Sequence, residues 1–162
     1  MVLNQHVAMC ENLDTWLAGQ QQNLQQQTRL LPIWIMGAPG TGKSSTMLLW
    51  LLSHSANDPS FNPVWLHIPP PLSTDYTLLW REQGRWHNIT TAISNLIDLS
   101  KCASGVGRFK SSTVFVCDGL TRMDPTTVRQ LCEDFTGKIV PLAFVSSQQI
   151  RLDDKKREED RD

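Results

Sequence analysis

Apolar residues in this chain gather into short compact runs separated by glycine, proline and polar stretches, and the period within each run predicts its element. Leu31 to Met36 (LPIWIM) reads as a buried strand bounded by Gly37. Ser44 to Ser53, with the apolar run Met47 to Leu52, predicts a helix packed into a core. Pro63 to Ile68 (PVWLHI) predicts a second strand, ended by Pro69 to Pro71, which have no N–H to give a ladder. Thr113 to Cys117 (TVFVC) predicts a third. Asp124 and Pro125 suit a helix start; Val128, Leu131, Cys132 and Phe135 repeat at helical spacing until Gly137. Ile139 to Val145 (IVPLAFV) predicts a fourth strand, with Pro141 at its entry end.

Other segments give weaker patterns. Asn12 to Leu17 predicts a short amphipathic helix, and the polar run holding Gln20, Gln21, Gln22, Gln25, Gln26 and Gln27 a solvated spacer or helix extension. Leu72 to His87 shows no clear period and is expected to be a loop or insertion. Asn88 suits the cap of a helix carrying Ile89, Ile93, Leu96, Ile97 and Leu99. Arg151 to Asp162 is almost all charge and is expected to be a solvated tail.

Strand–helix alternation with strands apolar on both sides predicts an α/β three-layer domain around a mainly parallel sheet. The expected divisions are an N-terminal helix and Gln-rich spacer over 1–30, the main domain over 31–150 and the charged tail over 151–162. The total of 162 residues fits one domain. With a net charge of -1 there is no global basic field, so nucleic acid could be held only locally. Trp80 and Trp86 beside Arg81 and Arg85 are the one candidate stacking platform, and packing tryptophans explain them better. Cys10, Cys102, Cys117 and Cys132 form no C-x-x-C pair and read as free thiols. No run approaches the roughly 20 apolar residues of a membrane helix. The first ten residues lack a secretory n-region, so the expected location is intracellular, cytoplasmic or nuclear, with no membrane partner.

Between the first strand and the first long helix stands Gly37-Ala38-Pro39-Gly40-Thr41-Gly42-Lys43-Ser44, which meets the phosphate-binding pattern G-x-x-x-x-G-K-[ST] at every fixed position. In such a loop successive backbone N–H groups wrap the phosphates, and the helix N-terminus adds partial positive charge. Lys43 would charge-pair the outer phosphates, Ser44 would ligate magnesium, and Ser45 would complete the cradle. A second acidic group at the end of another strand would hold the metal through its water shell. Asp118, about 75 residues after Lys43 and ending the apolar run Val114 to Cys117, is the candidate.

These residues resemble the P-loop NTPases. The strand ending in Ser146-Ser147-Gln148 resembles the sensor strand of the branch that includes AAA+ and STAND ATPases, where a polar residue such as Ser147 would contact the terminal phosphate or the attacking water. The wider succession GAPGTGKSS, VWLHI, VFVCDGL and LAFVSSQ, from Leu31 to Gln149, also looks like the NTPase region of crinkler effectors and retrotransposon hot spot proteins. The resemblance implies Mg2+-dependent binding and hydrolysis of ATP or GTP as a switch or motor module, with Lys43, Asp118 and Ser147 as catalytic residues. One departure matters: the branch places a catalytic glutamate next to the Asp, whereas Gly119 follows Asp118 here, leaving Asp124 or Glu82 as substitutes. Two alternatives stay open. One is a nucleotide-dependent interaction module with little hydrolysis; the other is a small-molecule P-loop kinase with Arg81 and Arg85 on its lid. Only four strands are expected where the branch has at least five. The sheet is therefore expected to be incomplete at the C-terminal end, and a partner domain or self-association to cover the loop strand.

Overall fold

The computed structural model describes residues 2–69, 74–96, 98, 109, 111–119 and 125–147. Six strands form one sheet: β1 (Ile33–Gly37), β2 (Pro63–His67), β3 (Asp75–Glu82), β4 (Arg85–Ala92), β5 (Val114–Asp118) and β6 (Leu142–Ser147). Their spatial order is β1-β6-β5-β2-β3-β4. The first four in that order pair parallel, while β3 and β4 add antiparallel pairs. The fold is thus α/β with a mixed sheet, parallel in the half that carries the glycine loop.

Helices α1 (Val2–Gln25), α2 (Lys43–Asn57) and α3 (Pro125–Thr136) cover it. Along β5 the residues alternate between two cores, as a period of two requires. Val114 and Val116 pack with Leu13 and Leu17 of α1 and Met47, Trp50 and Leu51 of α2. Phe115 and Cys117 pack with Val128, Leu131 and Phe135 of α3. Every residue of β5 is buried, which is why it reads as an unbroken apolar run and not as an alternation.

Three expectations are corrected. The stretch Leu72 to His87 is not a loop: its described part forms the β3–β4 hairpin, in register from Asp75↔Ala92 to Glu82↔Arg85. Tyr76, Leu78 and Trp80 do alternate inward, but half-buried Leu79 between them hides the period. The hairpin turns at Gln83 and Gly84, both at positive φ (50° and 77°), the pair of left-handed residues a two-residue turn needs. Asn88 caps no helix; it lies in β4 opposite Leu79, and helical residues begin only at 93. Among the described residues the strand count is six and not four. The charged tail, Cys102, Ile97, Leu99, Asp124 and Gln148 to Gln149 lie outside the described residues.

The Gln-rich run is the helix-extension reading, with α1 continuing to Gln25. Leu13, Leu17 and Gln20 are its buried face, spaced at four and three residues. Gln20 Oε1 accepts a hydrogen bond from Leu31 N (3.1 Å) and Trp16 Nε1 donates to Leu31 O (3.1 Å), tying the entry of β1 to the helix. Asp14 ties α1 to α2, accepting from Trp50 Nε1 (2.6 Å) and meeting His54 Nε2 (2.8 Å). Burial opposes ionisation of Asp14, but these two hydrogen bonds and the nearby His54 prevail and lower its pKa. Among the described residues β1 pairs only with β6, so its other edge carries no strand. No described helix is long and apolar enough to cross a membrane.

Candidate functional site

The four parallel strands deliver their last residues to one edge of the sheet. Register places Gly37 beside Ser147, Asp118 beside Val145, and His67 beside Asp118. In an open α/β sheet this carboxyl edge is where ligands bind, at the point where the chain leaves neighbouring strands in different directions. Here the chain leaves β1 through the glycine loop and α2 to reach β2, stepping over the places that β5 and β6 later fill.

The loop needs its glycines at two points. Gly40 (φ 76°) and Gly42 (φ 78°) adopt the left-handed conformation that side chains resist. Gly42 has a second constraint, since a Cβ there would meet His6 Cε1 of α1 at 2.9 Å. Gly42 is also the N-cap of α2 and offers no side-chain cap, so the first-turn N–H groups keep their outward direction. Ala38, Pro39, Gly40, Thr41, Ser44 and Ser45 are exposed, while Gly37, Gly42 and Lys43 are half-buried. Lys43 Nζ lies across the loop, donating to Gly37 O (2.9 Å), Ala38 O (2.7 Å) and Thr41 Oγ1 (3.1 Å).

Asp118 reaches this loop from β5. Its Oδ1 accepts from Ser44 Oγ at 2.8 Å and its Oδ2 lies 3.2 Å from His67 Nδ1, with the carboxylate side chain only 3% exposed. A buried carboxylate needs such partners, because an unpaired one would lose its solvation without return. The hydrogen bond to Asp118 is the main cause of a raised His67 pKa, opposed by burial and reinforced by the carboxylate charge. Ser44 Oγ and Asp118 are hard oxygen donors of the kind magnesium accepts, and no described group of three or more His, Cys, Asp or Glu residues could hold a metal alone. That set suits Mg2+, which is ordinarily held by one or two carboxylates together with substrate phosphate oxygens and water.

Of the other sequence candidates, Ser147 shares this edge and the rest are placed elsewhere. Ser147 stands next to Gly37 by backbone register. Arg81 and Arg85 are not on a lid over the loop. Thr77 pairs with His67, and Arg81 lies four residues further along β3, roughly 13 Å toward the opposite edge of the sheet. There Arg81 Nη1 donates to the carbonyls of Asp58, Pro59 and Phe61, closing the turn after α2. Glu82 sits at the same far end, opposite Arg85, and is no base for this site. Trp80 is buried, stacked on His87 at 5.3 Å and edge-on to Phe109, so it packs the core and offers no platform. Cys117 and Cys132 are buried thiols whose pKa burial pushes far up, which leaves them unreactive.

Two residues of the site were not foreseen. His67 is the last residue of β2 (PVWLH) as Asp118 is of β5 (VFVCD), a polar group within or closing an apolar run, and that shared form is the signal that could have found it, although Ile68 continues the run in the sequence. His6, 40 positions before Thr46, hydrogen-bonds the Thr46 hydroxyl through Nδ1 and carried no local signal. Gly119, the departure from the expected glutamate, also has a structural cause: at φ 85° a Cβ would stand 2.4 Å from Ile68 O. Neither a protein-family model nor a curated protein matches the chain.

Proposed function

We propose that the chain binds a nucleoside triphosphate with Mg2+ at the Gly37 to Ser45 loop and hydrolyses it, in a P-loop NTPase domain of the AAA+/STAND-like kind acting as a switch or motor module. The observation that carries this reading is the 2.8 Å hydrogen bond between Ser44 and Asp118, which stand 74 positions apart. A glycine-rich turn with a solvated lysine would have no need of a buried carboxylate at its far side. Helices against both faces of the parallel half and a loop at the carboxyl edge agree with the same reading.

In the proposed reaction the loop N–H groups and Lys43 hold the phosphate chain and offset the charge that develops on the transferring group. Lys43 exchanges its bonds to Gly37 O and Ala38 O for phosphate oxygens. Ser44 and Asp118 would hold Mg2+, which supplies charge neutralisation between the outer phosphates. Asp118 keeps its orientation through His67. Ser147, at the end of the strand between β1 and β5, would contact the terminal phosphate or the attacking water.

A second reading, nucleotide-dependent docking with little turnover, is favoured by Gly119: its backbone leaves no room for an acid directly after Asp118. One experiment addresses both. Calorimetric titration with ATP and with GTP, with and without Mg2+, is expected to show Mg2+-strengthened binding, and phosphate release measured alongside separates turnover from docking. Absence of binding by either nucleotide refutes both readings.

A further inference from the structure

The sheet has a second edge at β4, the strand farthest in spatial order from the glycine loop. Among the described residues β4 pairs only with β3, in unbroken register over its 8 residues and without a bulge. Soluble proteins blunt such an edge with charge, proline, a bulge or a very short strand. From Trp86 to Ala92 (WHNITTA) β4 holds no Pro, Gly, Lys, Arg, Asp or Glu. The edge at β1 differs, being a strand of 5 residues that follows Pro32. The phosphate chemistry described above uses nothing of β4.

The hairpin turn fixes which backbone groups of β4 face outward. A two-residue turn at Gln83 and Gly84 makes Glu82↔Arg85 a pair whose backbone bonds run between the two strands. Pairs then alternate along an antiparallel ladder, so Arg85, His87, Ile89 and Thr91 direct their N–H and C=O to β3. Trp86, Asn88 and Thr90 direct theirs away from it, while Ala92 is followed at once by helical residues from 93. Asn88 and Thr90 are also exposed. A register centred on Asn88 lets this row pair with a copy of itself. Trp86 then lies opposite the partner's Thr90 and Asn88 opposite the partner's Asn88, and each such pair exchanges both of its N–H···O bonds. His87 meets the partner's Ile89. Arg85, the one Lys or Arg of the strand, meets the partner's Thr91, so no like charges are opposed. Centring the pairing on Ile89 instead would set Trp86 against Ala92, where the helical residues begin.

We propose that β4 is a homodimer surface, on which two copies of the chain pair antiparallel about a two-fold axis at Asn88. The two sheets then join edge to edge, with both glycine loops at the far ends. Light scattering and sedimentation velocity of the full chain without nucleotide, over a concentration series, are expected to show a monomer–dimer equilibrium. Asn88→Lys sets two cations against each other at the axis and should weaken dimerisation about tenfold or more. Its circular dichroism spectrum should match wild type, because Asn88 is exposed. Cysteine substitution reads the register. Paired residues at the axis have Cα atoms about 5.5 Å apart, within disulfide reach, whereas position 90 stands roughly 14 Å from its copy, four residues along the strand. Under mild oxidation Asn88→Cys is expected to give a reducible covalent dimer, above the background that Cys10 gives in wild type, and Thr90→Cys is not. Wild type that stays monomeric at every concentration overturns the proposal. A dimer that a folded Asn88→Lys leaves intact lies on another surface and overturns it. So does one that cross-links equally through both cysteine variants or through neither. If Asn88→Lys fails to fold, the uncharged cysteine variants decide by themselves.

Discussion

Replacing Gly119 by alanine tests whether the backbone that carries Asp118 is as tightly set as the structure places it. At φ 85° an L-residue pays about 1–2 kcal/mol for the left-handed conformation alone. The new Cβ would stand 2.4 Å from Ile68 O, a backbone atom that cannot rotate away. Relief requires the ends of β2 and β5 to part, at the expense of Ile68 N–Asp118 O (2.7 Å) or Gly119 N–Val145 O (3.0 Å). One such hydrogen bond contributes about 1 kcal/mol. Together the loss is about 2–3 kcal/mol, a large share of the roughly 5–15 kcal/mol that holds a domain folded. In a chain of this size that corresponds to a fall of about 4–12 °C in Tm. Gly137→Ala is the matched control, since Gly137 also has positive φ (62°) but its Cβ would meet nothing within 4 Å, leaving only the left-handed cost of about 1–2 kcal/mol. Thermal and denaturant unfolding of the two variants and wild type give the comparison. Equal destabilisation by the two substitutions would show that the approach to Ile68 does not constrain this site. The same geometry means that inserting glutamate at 119 would disturb the strand ends before it could supply a base.

Three further outcomes follow from the site. Lys43→Ala is expected to keep the circular dichroism spectrum and to weaken ATP binding by about tenfold or more, since a charge-assisted hydrogen bond contributes about 1.5–3 kcal/mol; unchanged affinity would remove Lys43 from the phosphate site. Asp118→Asn should reduce Mg2+-dependent ATP binding more than Mg2+-free binding, and equal losses in calorimetry would make Asp118 purely structural. NMR titration of His67 without nucleotide or metal should give a pKa above the ordinary 6.5, because the Asp118 hydrogen bond raises it. A raised folded pKa means the pair's contribution to stability is full below pH 6.5 and is lost as pH rises through the folded value. Asp118→Asn should bring the His67 titration back toward 6.5, and a pKa at or below 6.5 in wild type would refute the pairing.

How much was legible depended on whether a feature is local. The loop from Gly37 to Ser44 and the strand ending in Asp118 could both be read because their signals are contiguous: fixed spacing of Gly, Lys and Ser in one, an apolar run closed by a carboxylate in the other. The hairpin β3–β4 was missed because its stability comes from cross-strand pairing such as Leu78↔Ile89, which no window along the chain contains, and because the outward Leu79 broke the alternation. Asn88 looked like a helix cap by residue type, yet pairing with β3 outweighs a preference worth about 1 kcal/mol.

The sequence by itself determined the α/β class, the glycine loop between a strand and a helix, and the apolar strands that deliver Asp118, since these follow from residue order and short-range period. Only the tertiary structure decided which strand lies beside which, and with it the site. Inserting β6 between β1 and β5 carries Ser147 to Gly37; pairing β2 with β5 puts His67 on Asp118. Packing of α1 on α2 seats His6 over Gly42 and at Thr46. The physical reason is that strand order and helix docking are set by burial summed over the whole core, to which each residue adds little, whereas a turn or a strand is set by the few residues within it.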